Sequence, residues 1–346
     1  MASILYLGDD HSSSTAAHRA QALRRIGHTV SHWNPEKAVA EELKNSLKNF
    51  LHYRTGYRFL QQKLAFFLQG VMAKKSDYDL IWVDSGEFFG LKCLQLLKAY
   101  ALPIILYNID DPTGKRDQGR FQSLKKAIGY YDLVVVVREE TAEECRLLGA
   151  KNVMRVYRSY DEEAHKPYTD IGDIPMDYRS EVAFIGTWMR NEKRDEFLVK
   201  LLQQGIPLSI WGDRWQKSGY WKVLKKAYRG GALGGRNYVA AMQGANICLG
   251  FLSKGNRDLH TTRSLEIPYA GGVLCAERTS EHKRMYVDGH EAVFWTDVEE
   301  CVEVCQKLLG DNYYCEQLRS AGMGKVRTLR LGNEDVCREI LQHLQA

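Results

Sequence analysis

The chain has 346 residues, of which 45% are apolar and 26% are charged. These values are typical of a soluble globular protein and exclude a disordered chain or one embedded in a membrane, and the length is sufficient for two domains with separate cores. The net charge of +5 is modest for this length and does not by itself indicate nucleic-acid binding.

No run of about 18 apolar residues occurs, and residues 1–5 enter an apolar segment without a basic region before it. We therefore expect neither a signal peptide nor a membrane span, and a cytoplasmic location. The eight cysteines are scattered without the spacing of a disulfide framework, which agrees with that location. Cys301 and Cys305 lie four residues apart in a helical pattern with no further Cys or His pair nearby, so we expect no zinc site.

The N-terminal half alternates apolar runs with amphipathic segments, a pattern that predicts a parallel α/β sheet. Strands are predicted at 3–8, 28–32, 79–84, 103–110 and 132–137, and a helix at 16–27. The loop 9–15 follows the first strand at its carboxyl end, where open α/β sheets bind ligands. This loop lacks the G-x-G-x-x-G pattern, since only Gly8 is present, which excludes a nicotinamide-dependent dehydrogenase.

Residues 43–76 are the most unusual segment by charge. They contain no Asp or Glu but seven cations, interleaved with aromatic residues. The cations are Lys44, Lys48, Arg54, Arg58, Lys63, Lys74 and Lys75. One interpretation is a set of helices whose aromatic residues pack on the sheet and whose cations are solvated. The other is a cationic surface that binds an anionic or lipid-linked acceptor, or a lipid headgroup layer at the inner membrane face. Nucleic acid is the weakest interpretation, because no stacking or groove-reading motif accompanies the charges.

The second half begins after a polar stretch that carries Pro167 and Pro175 without periodicity, and we interpret residues 166–178 as a linker. The predicted domains are therefore 1–165 and 179–325, with a C-terminal helical segment, 326–346, that crosses back to the first domain. Strands are predicted at 182–186, 208–212, 247–252, 273–275 and 292–295, and helices at 237–244, 262–270, 297–309, 312–322 and 334–344.

Residues 258–277 read D-L-H-T-T-R-S-L-E-I-P-Y-A-G-G-V-L-C-A-E and place a short helix between two strands. Thr261 or Thr262 can cap this helix, Gly271-Gly272 can end it, and Pro268 predicts that it is short or kinked. Free N–H groups at its start, together with Arg263, would suit a diphosphate. Glu266, one turn further on, could accept hydrogen bonds from the two hydroxyls of a ribose. The alternative is an ordinary Thr-capped helix on the protein surface.

The span T-x-R-S-L-E-I-P-Y-A-G-G-V-L-C-A-E-R-T, followed by G-H-E-A-V-F-W-T-D, resembles the nucleotide-binding half of the CgeB-like glycosyltransferases, relatives of the group 1 glycosyltransferases. The resemblance extends from residue 181 to the C-terminus and covers the N-terminal half more loosely. It implies an α/β fold of GT-B type, with two Rossmann-like domains whose parallel sheets face each other across a cleft. In the wider group a Glu-x7-Glu pair frames the helix, its second Glu holding the ribose and its first facing the transferred sugar. Here the pair is Asp258-x7-Glu266, which is one methylene shorter at the first position.

The resemblance also implies a set of donor-binding residues. The loop 186–194 would face the diphosphate, through Arg194 first and Arg190 second, and the backbone of 228–233 would contact the edge of the base. The predicted donor-binding residues are Gly186, Thr187, Arg190, Arg194, Gly212, Gly230, Gly231, Leu233, Asp258, His260, Thr261, Thr262, Arg263 and Glu266.

Sugar transfer requires that the charge on the leaving diphosphate be neutralised, and the helix start with Arg263 and Arg194 could do this without a metal. Asp77-Tyr78-Asp79 has the D-x-D spacing but precedes its strand, so we predict no metal and no cofactor besides the donor. Similarity to the Glu-x7-Glu group favours retention of anomeric configuration. Inversion would need a base on the first domain, for which the candidates are His11, Asp10, Asp111 and Glu87, in that order.

The sequence therefore predicts a glycosyltransferase that uses a nucleoside-diphosphate sugar. Two alternatives keep the same fold, namely a nucleotide-sugar epimerase and a nucleotide-binding protein without catalysis.

Overall fold

The structure is a computed structural model that describes residues 1–75 and 77–345. Ser76, the last residue of the predicted basic segment, and Ala346, the last of the predicted C-terminal segment, lie outside it. The contacts divide the described chain into two units. Unit 1 comprises Met1–Tyr157, Gly255–Arg257 and the residues from Asn333 onward, and unit 2 comprises Arg158–Lys254 and Asp258–Gly332.

Unit 1 is built on a parallel sheet of six strands in the order β2-β1-β3-β4-β5-β6 within the described residues. These strands are β1 Ser3–Leu7, β2 Thr29–Trp33, β3 Leu80–Asp84, β4 Ile104–Asn108, β5 Leu133–Val136 and β6 Val153–Arg155. The helices between them are α1 Thr15–Arg25, α2 Glu36–Leu43, α3 Ser46–Arg54, α4 Gln61–Lys74, α5 Leu91–Lys98, α6 Gln122–Ala127 and α7 Glu139–Leu147. A 3-10 turn, Arg58–Leu60, joins α3 to α4.

Unit 2 contains a second parallel sheet, whose order over the described residues is β12-β11-β10-β7-β8-β9. Its strands are β7 Ser180–Ile185, β8 Leu208–Trp211, β9 Tyr228–Gly230, β10 Ala245–Gly250, β11 Leu274–Glu277 and β12 Val293–Trp295. Its helices are α8 Arg194–Gln203, α9 Trp221–Leu224, α10 Gly235–Gln243, α11 Arg263–Tyr269, α12 Ser280–Met285, α13 Val298–Leu309 and α14 Asn312–Thr328. The last helix, α15 Asn333–Gln345, belongs to unit 1.

Alternation of side chains across each strand gives both faces of the unit 1 sheet an apolar core. On one face Leu5 and Val83 pack with α4 and α5 residues, and on the other Ile4 and Trp82 pack with α15. Ile340 of α15 is fully buried there. The C-terminal helix thus completes the core of the first domain.

The ten strands that the sequence predicts are present, with ends shifted by at most two residues. The structure adds β6 and β9, which the sequence analysis did not predict because each has three residues and no clear pattern. The division between the units falls at 157/158 and not at 165/166. Residues of the predicted linker belong to unit 2, because Tyr168 and Gln243 of α10 exchange two hydrogen bonds of 2.6 and 3.0 Å. Among the described helices, none has the length and apolarity needed to cross a membrane.

Candidate functional site

Helix α11 lies at the carboxyl end of β10 and carries the two residues on which the predicted donor site depends. Its end is as predicted: Gly271 adopts φ +85°, and the N–H of Gly272 donates to the carbonyl oxygen of Ile267 at 2.8 Å. Pro268 lies inside the helix, which has seven residues. The sequence thus predicts this short helix, with one residue too many at each end, and its C-terminal turn.

The start of α11 differs from the prediction. Thr262 already has helical angles, φ −55° and ψ −38°, and its side chain makes no cap hydrogen bond within the described residues. Ser264 Oγ instead accepts the N–H of Thr261 at 3.0 Å. The amides of Ser264 and Glu266 donate to the carbonyl oxygens of Thr261 and Thr262 at 3.1 and 2.9 Å. The prediction of free amides is therefore wrong for these positions.

A buried histidine holds the start of α11 in place. Ser264 Oγ lies 2.7 Å from His282 Nε2, and His282 Nδ1 lies 2.6 Å from the carbonyl oxygen of Glu277. Burial lowers the pKa of His282 to about 4, so the imidazole is neutral. The network then has one arrangement, in which Nδ1–H donates to Glu277 and Nε2 accepts the Ser264 hydroxyl proton. The sequence analysis missed this histidine.

Glu266 is 5% exposed, and its carboxylate faces two other side chains. Its Oε2 accepts the hydroxyl proton of Tyr238 at 2.6 Å, and Oε1 lies 3.5 Å from His165 Nε2. Burial and the charge of Glu266 raise the pKa of Tyr238 well above its usual value, so Tyr238 is the donor. A carboxylate in this setting can accept hydrogen bonds from neighbouring hydroxyls, which is the chemistry that ribose binding requires.

Arg194 and Arg263 follow neighbouring strands, β7 and β10, at the same edge of the unit 2 sheet as Glu266. Arg194, the first residue of α8, donates to the carbonyl oxygens of Thr187 and Leu252 at 3.2 and 2.9 Å. Burial lowers the pKa of Arg194, and the charge of Arg263 lowers it further while Glu192 opposes the change. The Nε–H groups of both arginines are buried and find no hydrogen-bond partner among the described residues. Two adjacent guanidinium groups with free donors are suited to an anion.

A cavity of about 320 Å³ opens beside Arg194. Its walls include Leu252 after β10, Glu277 at the end of β11 and Trp295 at the end of β12. These are the carboxyl ends of neighbouring parallel strands, where open α/β sheets bind ligands.

The loop after β7 runs close to the loop after β8. A Cβ atom on Gly212 would lie 2.1 Å from the carbonyl oxygen of Gly186, and Gly212 has φ +141°. Only glycine fits at position 212, and the close approach of the two loops fixes the backbone at Gly186 and Thr187. Arg190 is exposed further along this loop. Arg194, the first choice from the sequence, differs from Arg190 in having a buried Nε–H group.

The segment after β9 follows the same edge of the sheet. Gly230 ends β9, Gly231 is exposed, and Leu233 is partly buried before α10 begins. The N–H of Ala232 donates to Asp213 Oδ1 at 3.0 Å, which holds the segment against the loop after β8.

Two predicted donor residues are engaged within unit 2. Asp258 is 7% exposed and accepts a hydrogen bond from Arg158 Nη2 at 3.0 Å. His260 Nε2 accepts the backbone N–H of Arg158 at 2.9 Å, and His260 Nδ1 contacts Glu281 Oε2. The resemblance predicts that Asp258 faces the transferred sugar. In the structure its carboxylate is instead paired with the buried Arg158, an ion pair that the sequence analysis missed.

The four predicted base candidates lie in unit 1, at the carboxyl ends of its strands. Asp111 is 2% exposed and is held by Arg257 at 2.6 and 2.7 Å and by Thr141 at 3.1 Å. Glu87 pairs with Arg120, although burial raises its pKa.

Asp10 pairs with Lys37 and accepts from Asn34 at 3.1 Å. His11 is exposed, and its Nδ1 accepts the N–H of Ser13 at 3.3 Å. The three candidate carboxylates thus pair with cations, whereas the His11 ring lies at the surface.

One cluster of possible metal ligands occurs in the described chain. Cys275, Cys301 and Cys305 are buried, with their Sγ atoms within 4.8 Å of one another. The sequence analysis considered the helical pair and missed Cys275 of β11. The three thiols lie in the apolar core of unit 2, and a tetrahedral zinc site would need a fourth ligand.

Residues 190–341 match a family model described as "Glycosyl transferase-like", which is less than half of the chain. No curated protein sequence is significantly similar to the chain.

Solved structures are similar over the whole chain. Sucrose-phosphate synthase from Thermosynechococcus elongatus is 14% identical, with a TM-score of 0.72 and coverage of 100% of this chain and 98% of that one. Anabaena Alr3699/HepE in complex with UDP-glucose is 14% identical, with a TM-score of 0.68 and full coverage of both chains. The UDP complex of S. aureus MnaA is 12% identical, with a TM-score of 0.56 and coverage of 100% and 96%. At these identities the matches show the fold, an α/β fold of GT-B type with two Rossmann-like units, as the sequence predicts.

Proposed function

We propose that the chain is a glycosyltransferase of the CgeB-like group that transfers a sugar from a nucleoside-diphosphate sugar to an acceptor hydroxyl. The observation that carries this proposal is the grouping of Arg194, Arg263 and Glu266 at one edge of the unit 2 sheet. The two arginines offer free donors for a diphosphate, and the buried carboxylate offers acceptors for a ribose. The family match and the UDP complexes of proteins with this fold support it.

The reaction breaks the bond between the anomeric carbon and the diphosphate oxygen and forms a bond from that carbon to the acceptor oxygen. The acceptor proton leaves, and a nucleoside diphosphate is released. Negative charge develops on the leaving diphosphate, and the two guanidinium groups would stabilise it in a buried site without a metal. Arg194 would need no rearrangement to bind the diphosphate, because its hydrogen bonds to two backbone carbonyls already fix its position.

We propose retention of configuration, because the Asp258-x7-Glu266 spacing follows the Glu-x7-Glu group. Inversion would require a base, and of the four unit 1 candidates only His11 is both exposed and outside the ion pairs described above. NMR analysis of the product anomer distinguishes the two outcomes. An inverted anomeric centre would refute retention and make His11→Gln the next variant to examine.

Donor binding can be tested by thermal shift with UDP and other nucleoside diphosphates. At a concentration 100 times Kd, a ligand stabilises by about 2.7 kcal/mol, or roughly 5–10 °C in a unit of this size. Glu266→Gln and Arg263→Met should remove most of that rise, whereas the exposed controls Glu303→Gln and Arg284→Met should keep it. A full rise in both site variants would refute the donor site.

Arg263→Met makes a second test, because it removes one of two adjacent positive charges. The ligand-free variant should melt at the same temperature as the parent protein or above it, while its response to nucleotide is lost. A large fall in melting temperature without nucleotide would mean that Arg263 has a structural role instead.

Turnover separates the proposal from its alternatives. A glycosyltransferase releases nucleoside diphosphate in an acceptor-dependent way, an epimerase converts the nucleotide-sugar without an acceptor, and a nucleotide-binding protein does neither. We further propose that unit 1 receives an anionic or lipid-linked acceptor through the basic segment 43–76. Changing Arg54 and Arg58 to Glu should reduce transfer to that acceptor and spare donor hydrolysis.

A further inference from the structure

Helix α3 presents an apolar face to solvent. Leu47, Phe50 and Leu51 are 79%, 59% and 51% exposed, and their spacing places them on one side of the helix. Phe59 of the 3-10 turn, 57% exposed, lies next to this helix, with its ring 6.5 Å from that of His52. A single exposed apolar residue is ordinary, but four on two adjoining elements form an interaction surface.

Cations accompany the aromatic rings of this surface. The guanidinium of Arg54 lies 5.1 Å from the centre of the Phe50 ring, and that of Arg58 lies 4.5 Å from the centre of the Phe59 ring. We call Leu47, Phe50, Leu51, Arg54, Arg58 and Phe59 the docking face. The acidic residues just before the segment, Glu41 and Glu42, pair with Lys44 and Lys63, and no ion pair of Arg54 or Arg58 occurs among the described residues. The docking face therefore combines exposed apolar groups with positive charge.

We propose that the docking face binds an anionic lipid bilayer. Apolar side chains on one helical turn can enter the boundary between headgroups and acyl chains, while the arginines bind lipid phosphates. Phe66 of α4, 74% exposed, adds a further apolar side chain in the same basic segment. The inference deepens the proposed function, because a bilayer would present a lipid-linked acceptor, but its residues lie in unit 1 and none belongs to the donor site.

Charge and side-chain type distinguish the bilayer from other partners. Two copies of the chain that met through this face about a two-fold axis would bring Arg54 and Arg58 against the same cationic surface. Nucleic acid would satisfy the arginines, but Leu47 and Leu51 can neither stack on bases nor donate hydrogen bonds to them. An anionic bilayer satisfies both the cations and the aliphatic side chains.

Co-sedimentation with vesicles tests the proposal without donor or acceptor. The full chain should bind vesicles of equal phosphatidylglycerol and phosphatidylcholine more tightly than vesicles of phosphatidylcholine alone, and binding should weaken with salt. The double variant Arg54→Gln/Arg58→Gln should lose about fivefold in affinity per cation removed. The triple variant Leu47→Gln/Phe50→Gln/Leu51→Gln should lose at least about tenfold.

Matched controls come from exposed positions elsewhere in unit 1. Leu147→Gln, at a residue 87% exposed on α7, controls for loss of an apolar side chain, and Lys126→Gln/Lys151→Gln controls for loss of charge. Both controls should bind as the parent chain does, and circular dichroism should show that all variants are folded.

Four results would overturn the proposal. They are no binding to anionic vesicles, equal binding by the parent chain and both face variants, self-association that the triple variant abolishes, and RNA binding that replaces vesicle binding. A chain that binds vesicles but does not respond to nucleotide would refute the donor site and keep the docking face. A chain that responds to nucleotide but does not bind vesicles would refute the docking face alone.

Discussion

Acidification should destabilise unit 2 through His282. The imidazole has a pKa of about 4 in the folded chain, because it is buried, against 6.5 when exposed to water. The unfolded chain therefore binds a proton at a higher pH than the folded chain does. The contribution of His282 to stability is complete above about pH 6.5 and is lost as the pH falls toward 4. The difference between the two pKa values, at about 1.4 kcal/mol per pH unit, makes this loss about 3 kcal/mol.

Other groups act on the same ring, so a variant is needed to isolate it. The carbonyl oxygen of Glu277 and the charge of Glu281 raise the pKa of His282, and the charge of His260 lowers it. Urea unfolding followed by tryptophan fluorescence reports mainly on unit 2, which contains Trp188, Trp211, Trp215, Trp221 and Trp295. The free energy of unfolding should be measured between pH 7 and pH 4.5 for the parent chain and for His282→Gln.

The variant should be less stable at pH 7 and should lose less stability on acidification, so the two curves converge. The control His290→Gln, at an exposed position, should run parallel to the parent chain. Parallel curves for His282→Gln and the parent would refute the assignment of a neutral buried imidazole.

Three further predictions concern stability. Asp258→Asn leaves Arg158 buried without its charged partner and should cost about 3 kcal/mol, or roughly 6–12 °C in the melting temperature of unit 2; a change below 2 °C would contradict the ion pair. Gly212→Ala should cost at least about 2 kcal/mol in urea unfolding, whereas the control Gly219→Ala, where a Cβ meets nothing within 4 Å, should be nearly neutral. Ile340→Ala should destabilise unit 1 by about 3 kcal/mol in calorimetry, and an effect no larger than that of the exposed control Gln342→Ala would mean that α15 does not complete the core.

The elements were predictable because parallel strands buried on both faces are nearly continuous apolar runs. The strand at 132–137 is an example: Leu133–Val136 is wholly buried in the structure. The two strands that the sequence analysis missed, β6 and β9, have three residues each and lie at sheet edges, where burial is incomplete. Hydrophobic pattern therefore predicts central strands better than edge strands.

The candidate site was predictable only where the interacting residues lie close together in the sequence, within one short motif. The spacing from Arg263 to Gly271 predicts a short helix, its C-terminal turn and the position of Glu266 one turn after the helix start. The partner of Asp258 is Arg158, which is 100 residues distant in sequence, and no local pattern indicates that pair. The same limit applies to the capping of α11, because the bond from Ser264 to His282 arises only when the chain folds.

The same limit explains why the charges of unit 1 were harder to interpret than those of unit 2. The sequence analysis made Asp111 and Glu87 candidates for a catalytic base, but both pair with arginines that come from elsewhere in the chain. In unit 2, by contrast, burial and the charge of Arg263 lower the pKa of Arg194, and the Nε–H groups of both arginines are buried without a hydrogen-bond partner among the described residues, which is unfavourable. A bound anion would offset the cost of such an arrangement, because ligand binding stabilises only the folded state. Buried guanidinium donors that lack a hydrogen-bond partner among the described residues therefore indicate an anion site more strongly than paired carboxylates at a strand end do.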